Sequence, residues 1–212
     1  LIAPKRRQMA SGTLRYSYKE KSYLQSGLAI SRNDQNTFSN IDKEDDNGLG
    51  IYTEWQHLIE ADSSSVKVQA KHEYVSRFFT PIERFRAVEF DRNWNTLGLD
   101  LSTDQHLGEL SVELRKGKNK ELRLAGETFQ AGGNFEGYRG AGAFKWVNDK
   151  SVLNYNGSYT RTSKQLSSNF YRHKTIAERQ VGKLLFRYQD EFEFNEQRRA
   201  ELNAYQFHEW QS

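Results

Sequence analysis

The sequence predicts an all-β fold, an antiparallel meander of about ten strands forming a barrel or a barrel segment, with a β-sandwich or open sheet as the alternative. Three observations predict it. Apolar and polar residues alternate with a period of two through most of the chain. Short polar turns separate the alternating runs. There is no recurring helical period between them, which disfavours the α/β classes.

The elements follow in order. Leu24, Ser26, Leu28 and Ile30 share a face after a short turn at 19–21. Ile51, Thr53, Trp55, His57 and Ile59 share another, and Val66, Val68, Ala70, His72 and Tyr74 a third, with the turn 61–65 between them. Pairing residues that sum to 127 across this hairpin would set Glu60 opposite Lys67 and Ile59 opposite Val68. A slip of one residue would turn both faces inside out. Leu97, Leu99 and Leu101 read as a further strand, then Leu110–Leu114, Leu122–Gly126, Tyr138–Trp146, Leu153–Tyr159 and Leu184–Tyr188. The segment 175–185 has the composition of a short helix. The segment 195–210 is rich in helix formers, yet Leu202, Ala204, Gln206 and His208 alternate, and strand is the reading its neighbours favour. Joints at 32–47, 77–92 and 163–180 look long. Those near 19–21, 61–65, 102–106, 116–120, 131–136 and 148–150 look short, a partial version of the short-turn rim and long-loop rim of outer-membrane barrels.

Composition bounds the chemistry. The 212 residues carry 31 Lys plus Arg against 28 Asp plus Glu, a net charge of +3 that gives no dedicated polyphosphate binder. Without cysteine there is no disulfide framework, zinc–thiolate site or thiol nucleophile. No apolar run approaches the roughly 20 residues of a membrane helix, and no signal peptide is visible. The opening Leu-Ile-Ala-Pro leads us to expect one β domain over 1–212, excised from a longer chain. Aromatics reach 13% while mean hydropathy is −0.89. A barrel reconciles the two, because half of each strand lines water and the loops are polar. Against lipid contact stand His57 and His72 on the greasier faces.

The stretch SGLAISRNDQNTFSNIDKEDDNGLGIY (26–52), followed by FTPIERFRAVEFDRNWN (79–95), resembles segments of large outer-membrane or cell-surface β-barrel proteins of Bacteroidetes bacteria. The resemblance implies a many-stranded barrel with a structural, transport or assembly role. It brings no catalytic or binding residues.

Candidate sites are few. The segment 77–94 interleaves Arg77, Arg84, Arg86 and Arg92 with Phe78, Phe79, Phe85, Phe90 and Trp94. Glu83, Glu89 and Asp91 cancel much of its field, which argues against nucleic acid. We read it as an ordered loop with Arg86–Glu89 and Asp91–Arg92 ion pairs over packed Phe rings. Arg77, Phe79, Arg84, Arg86 and Trp94 are its candidates for a ligand or partner contact. The acidic loop 42–48 offers oxygen ligands for Ca²⁺ but without EF-hand spacing, and a solvated turn explains it better. His57 and His72 would face each other across their hairpin as a metal or acid–base pair, or more simply sit half-buried in the sheet. Trp146 and Trp210, near strand ends, suit a membrane girdle, and Trp55, mid-strand, suits a core or a glycan platform. No Gly-x-Ser-x-Gly elbow accompanies Ser63–Ser65, so no catalytic residue is assigned. The leading expectation is an outer-membrane or cell-surface barrel whose partners are outer-membrane lipid and other surface proteins. The alternative is a periplasmic or secreted β-sheet module that binds glycan or protein, and the third is an outer-membrane hydrolase.

Overall fold

The computed structural model describes residues 4–38, 45–198 and 202–211. Eleven antiparallel strands run in sequence order through one sheet. They are β1 (Arg6–Tyr18), β2 (Ser22–Asp34), β3 (Asn47–Ala61), β4 (Ser64–Val75), β5 (Gln105–Lys116), β6 (Lys120–Ala131), β7 (Phe135–Asn148), β8 (Ser151–Lys164), β9 (Ser167–Val181), β10 (Leu184–Arg198) and β11 (Leu202–Gln211). One short helix, α1 (Phe90–Trp94), lies between β4 and β5. The all-β meander predicted from alternation is present, and the sheet is not closed, since β1 and β11 end its strand order.

Register keeps the two faces pure. Leu28 pairs Ile51, Ile51 pairs Tyr74, Val68 pairs Val112, Val112 pairs Leu124, and Leu122 pairs Phe144. Successive strand residues point to opposite faces, so these side chains share one surface and their neighbours share the other. The β3–β4 hairpin pairs residues summing to 125, not 127: Glu60 lies opposite Ser65 and Ile59 opposite Val66. A tight turn at Asp62, whose φ is +44°, shortens the expected five-residue loop. The shift is two residues, so each face keeps its residues while the expected Glu60–Lys67 pair is lost. Glu60 meets Lys21 at 3.4 Å instead, and Lys67 meets Glu113 at 2.5 Å.

Three further expectations change. Leu97, Leu99 and Leu101 form no strand; they belong to the single long connection 76–104, where Leu99 and Leu101 pack against a small core. Residues 175–185 are not helical, since β9 and β10 meet there at the turn Gly182–Lys183. The segment 163–180 is mostly β9 rather than a long loop. The 195–210 region is strand wherever described. With 76–104 counted once, the two rims differ: one mixes long connections with the short turns 132–134 and 165–166, and the other does not. The rim holding 19–21, 62–63, 117–119, 149–150 and 182–183 has only tight turns, and both long connections, 35–46 and 76–104, lie on the other rim.

The connection 76–104 folds back over one face of the sheet as a plug. Trp94 is 2% exposed, packed with Phe90, Phe129, Ala131 and Phe135. Its ring centroid lies 5.6 Å from that of Phe129 on β6. The next residue, Asn95, exchanges amide hydrogen bonds of 3.0 and 2.8 Å with Asn195 on β10. In a flat sheet β6 and β10 would stand about 19 Å apart, four interstrand spacings. Two adjacent residues reach both because the sheet curls around them. The plug therefore fills the concave side.

Glycine makes room for the plug. A Cβ on Gly48 would lie 2.2 Å from the Phe79 Cα, and one on Gly137 would lie 2.9 Å from Trp94 Cε3. Gly137→Val should expel the indole and destabilise the fold by about 2 kcal/mol in denaturant titrations. The emission red shift that accompanies it should vanish in a Trp94→Phe background.

Candidate functional site

The concave face carries the charge. Inward positions of β3–β7 bring Glu54, Lys71, Glu109, Glu127 and Arg139 into one cross-strand row. Lys71 meets Glu109 at 3.3 Å, Glu109 meets Arg123 at 2.8 Å, and Arg139 meets Glu127 at 2.7 Å. Glu54 accepts hydrogen bonds from the hydroxyls of Tyr23 and Tyr52 and from Gln69. These groups satisfy one another across a partly enclosed space, as buried charge requires.

Arg86 holds the plug against this surface. Its guanidinium donates two hydrogen bonds to Glu73 Oε1 on β4, at 2.9 and 2.6 Å, and one to Gln105 Oε1 at 2.6 Å. It also lies 4.4 Å from the Phe90 ring centroid and 5.2 Å from that of Phe129. The expected Arg86–Glu89 pair is thus replaced by Arg86–Glu73. Glu89 pairs with Arg92 at 3.1 Å, and Arg92 also reaches Glu193 on β10 at 2.5 Å. Burial works against the Arg92 charge, but these two carboxylates outweigh it and hold its pKa above the usual arginine value. Asp91 does not pair with Arg92; it accepts from the Thr96 hydroxyl at 2.9 Å.

The other candidate residues of the loop scatter. Phe79 packs on Gly50 and edge-on to Phe85. Arg84 donates to the carbonyls of Arg86, Ala87 and Val88 and so shapes the loop itself. Arg77 stays exposed, 3.8 Å from Asp104. Trp94 is buried in the core under the plug. Of the acidic loop, Asp42, Lys43 and Glu44 lie outside the described residues. Among the described residues no group of three His, Asp or Glu is placed to hold a metal.

His57 and His72 do not face each other across their hairpin. His57 lies opposite Val68 and bonds Ser22 through Nδ1 at 2.6 Å. His72 meets His106, not His57, at 3.3 Å. His173 and His208 both bond Asp190, each at 2.7 Å. These groups lie on the convex face, and the last three interrupt its apolar character at β9–β11.

Beyond the plug the concave face opens into a cavity of about 470 Å³. Arg92, Arg123, Arg139, Arg172 and Lys174 line it with Glu127, Glu191 and Glu193. Sequence reasoning named Arg92 only as part of the loop and missed the rest. Their signal was the polar half of each alternating strand, which looks the same whether it faces a cavity or bulk water. A second, more apolar space lies between the plug and β1–β4, lined by Met9, Thr13, Tyr52, Phe79, Ile82 and Phe85 among others. No protein-family model, no curated protein and no solved structure matches this chain.

Arg86→Ala should cost about 3 kcal/mol in equilibrium unfolding, because it strands the Glu73 carboxylate and frees the plug. Arg77→Ala should stay within about 0.5 kcal/mol.

Proposed function

We propose that the chain is an outer-membrane β-barrel protein, or a segment of one, whose convex face meets lipid and whose concave face forms a plugged lumen. One observation carries this reading. Across β2–β8 the outward positions, every second residue of 24–30, 51–59, 66–74, 108–114, 122–128, 138–146 and 153–159, hold no Asp, Glu, Lys or Arg. The concave positions of the same strands hold the ion-pair row. Soluble sheets put charge on the wet side, and here the side without a covering layer is the uncharged one. Leu110 is 58% exposed and Leu124 is 54% exposed on it. The outward run Ile51–Ile59 is about 20 Å tall at the usual strand tilt, near the height of a lipid-facing band. Tyr74, Tyr138, Tyr159 and Tyr171 stand toward the long-loop rim, and Tyr16, Tyr18 and Trp146 toward the tight-turn rim, as aromatic girdles would. The rim asymmetry supports the same orientation of loops and turns. No described helix is long and apolar enough to cross a membrane, so any crossing falls to the strands.

The role is structural or transport-related, with the plug narrowing whatever passage the concave face borders. A second reading, a surface module that binds protein, is favoured in one sector. Asp190 with His173 and His208 is a poor lipid contact, and a protein neighbour over β9–β11 suits it better.

Leu124→Arg discriminates between these readings. In phospholipid vesicles it should cost about 2–4 kcal/mol of folding free energy if the face meets lipid. A cost under about 0.5 kcal/mol, as for an ordinary surface site, would sink the membrane reading. So would a purified chain that is monodisperse and folded without detergent.

A further inference from the structure

The cavity beyond the plug has one cation with no carboxylate of its own. Arg123, Arg139, Arg92 and Lys174 are each within ion-pair distance of a glutamate. Arg172 on β9 is not, among the described residues. Glu193 lies opposite it in register but is taken by Arg92 and by the Tyr205 hydroxyl, both at 2.5 Å. Arg172 instead donates to the neutral Asn93 Oδ1 at 2.7 Å through one Nη. Burial, Arg139 and Arg92 work against its charge and prevail over the attraction of Glu193 and Glu89. Arg139, its diagonal neighbour two strands away, spends Nη1 on Glu127, and its Nε is buried with no hydrogen-bond partner. A half-buried guanidinium with no carboxylate in ion-pair contact is costly unless an anion joins it. Two guanidinium groups with unspent N–H donors match the paired oxygens of a carboxylate or phosphate. A cavity of about 470 Å³ has the size of ordinary small-ligand sites.

We propose that this cavity binds a small oxyanion, a carboxylate or phosphate group held by the Arg172 guanidinium with the Arg139 guanidinium beside it. The small inward residues Ala125, Ala141 and Ser158 leave it space. Arg172 and Arg139 both project from the concave face, so the site stands whether the convex face meets lipid or protein.

The test is isothermal titration of the folded 212-residue chain with inorganic phosphate and, separately, with succinate. At least one should bind saturably near one per chain, and which one does assigns the acid class. Arg172→Gln should weaken it tenfold or more. Arg139→Lys, which keeps the charge and loses the planar guanidinium, should weaken it about threefold, and serves if the first variant does not fold. Arg115→Gln, an inward cation at the tight-turn rim, should leave affinity unchanged. The proposal is overturned if neither probe binds by about 20 mM, the floor of useful affinity. It is equally overturned if the Arg172 or Arg139 variants bind like the parent, or if Arg115→Gln weakens binding as much as Arg172→Gln.

Discussion

Everything in this fold depends on the parity of strand pairing. Each ladder joins outward residues to outward residues, from Leu28 and Ile51 on one side to Tyr159 and Tyr171 on the other. A slip of one residue in any ladder would lift Lys71 or Glu109 into the apolar belt and sink Val112 or Leu124 among the carboxylates. Two-residue slips are far cheaper, since they keep the faces and change only partners. The tight-turn rim, with left-handed residues at Lys19, Glu20, Asp62, Gly117 and Gly182, removes that remaining freedom.

Parity also explains why the plug can exist. Long inward side chains from both walls already satisfy one another, so the plug needs only a few strong attachments. It uses three kinds. Arg86 bridges to Glu73 and Gln105, the Trp94 indole sits on Gly137, and the Asn95–Asn195 amide pair locks the far end. Thr80 adds a backbone N–H to Ser31 on β2 at 2.9 Å.

How much of this was legible follows from what alternation encodes. It reports which residues share a face, so the meander and the strand faces could be read from Val66–Tyr74 or Leu110–Leu114 alone. It does not report what covers a face. Leu97, Leu99 and Leu101 alternate because two of them pack on the plug core, and a strand with the same spacing is indistinguishable from them locally. β9 was hidden for the opposite reason: its outward Tyr171, His173, Thr175 and Ala177 hold no large aliphatic residue to mark the period. Ion pairs were least legible. Arg86 finds Glu73 because the plug folds back onto β4, and Arg92 finds Glu193 across a distance along the chain that only the curl of the sheet closes. Arg139 and Arg172 likewise become neighbours only through the register of β7, β8 and β9.

The reach of the plug has a consequence for the order of assembly. Its contacts run from Ser31 on β2 to Asn195 on β10, so its seat is complete only when nearly the whole meander is in place. Neighbouring hairpins close short loops and can form early, whereas the plug must wait for strands separated by most of the chain. The Trp94 pocket is supplied by the β6–β7 hairpin alone, so the indole can seat before the plug's outer bonds, to Ser31 and to Asn195, are closed.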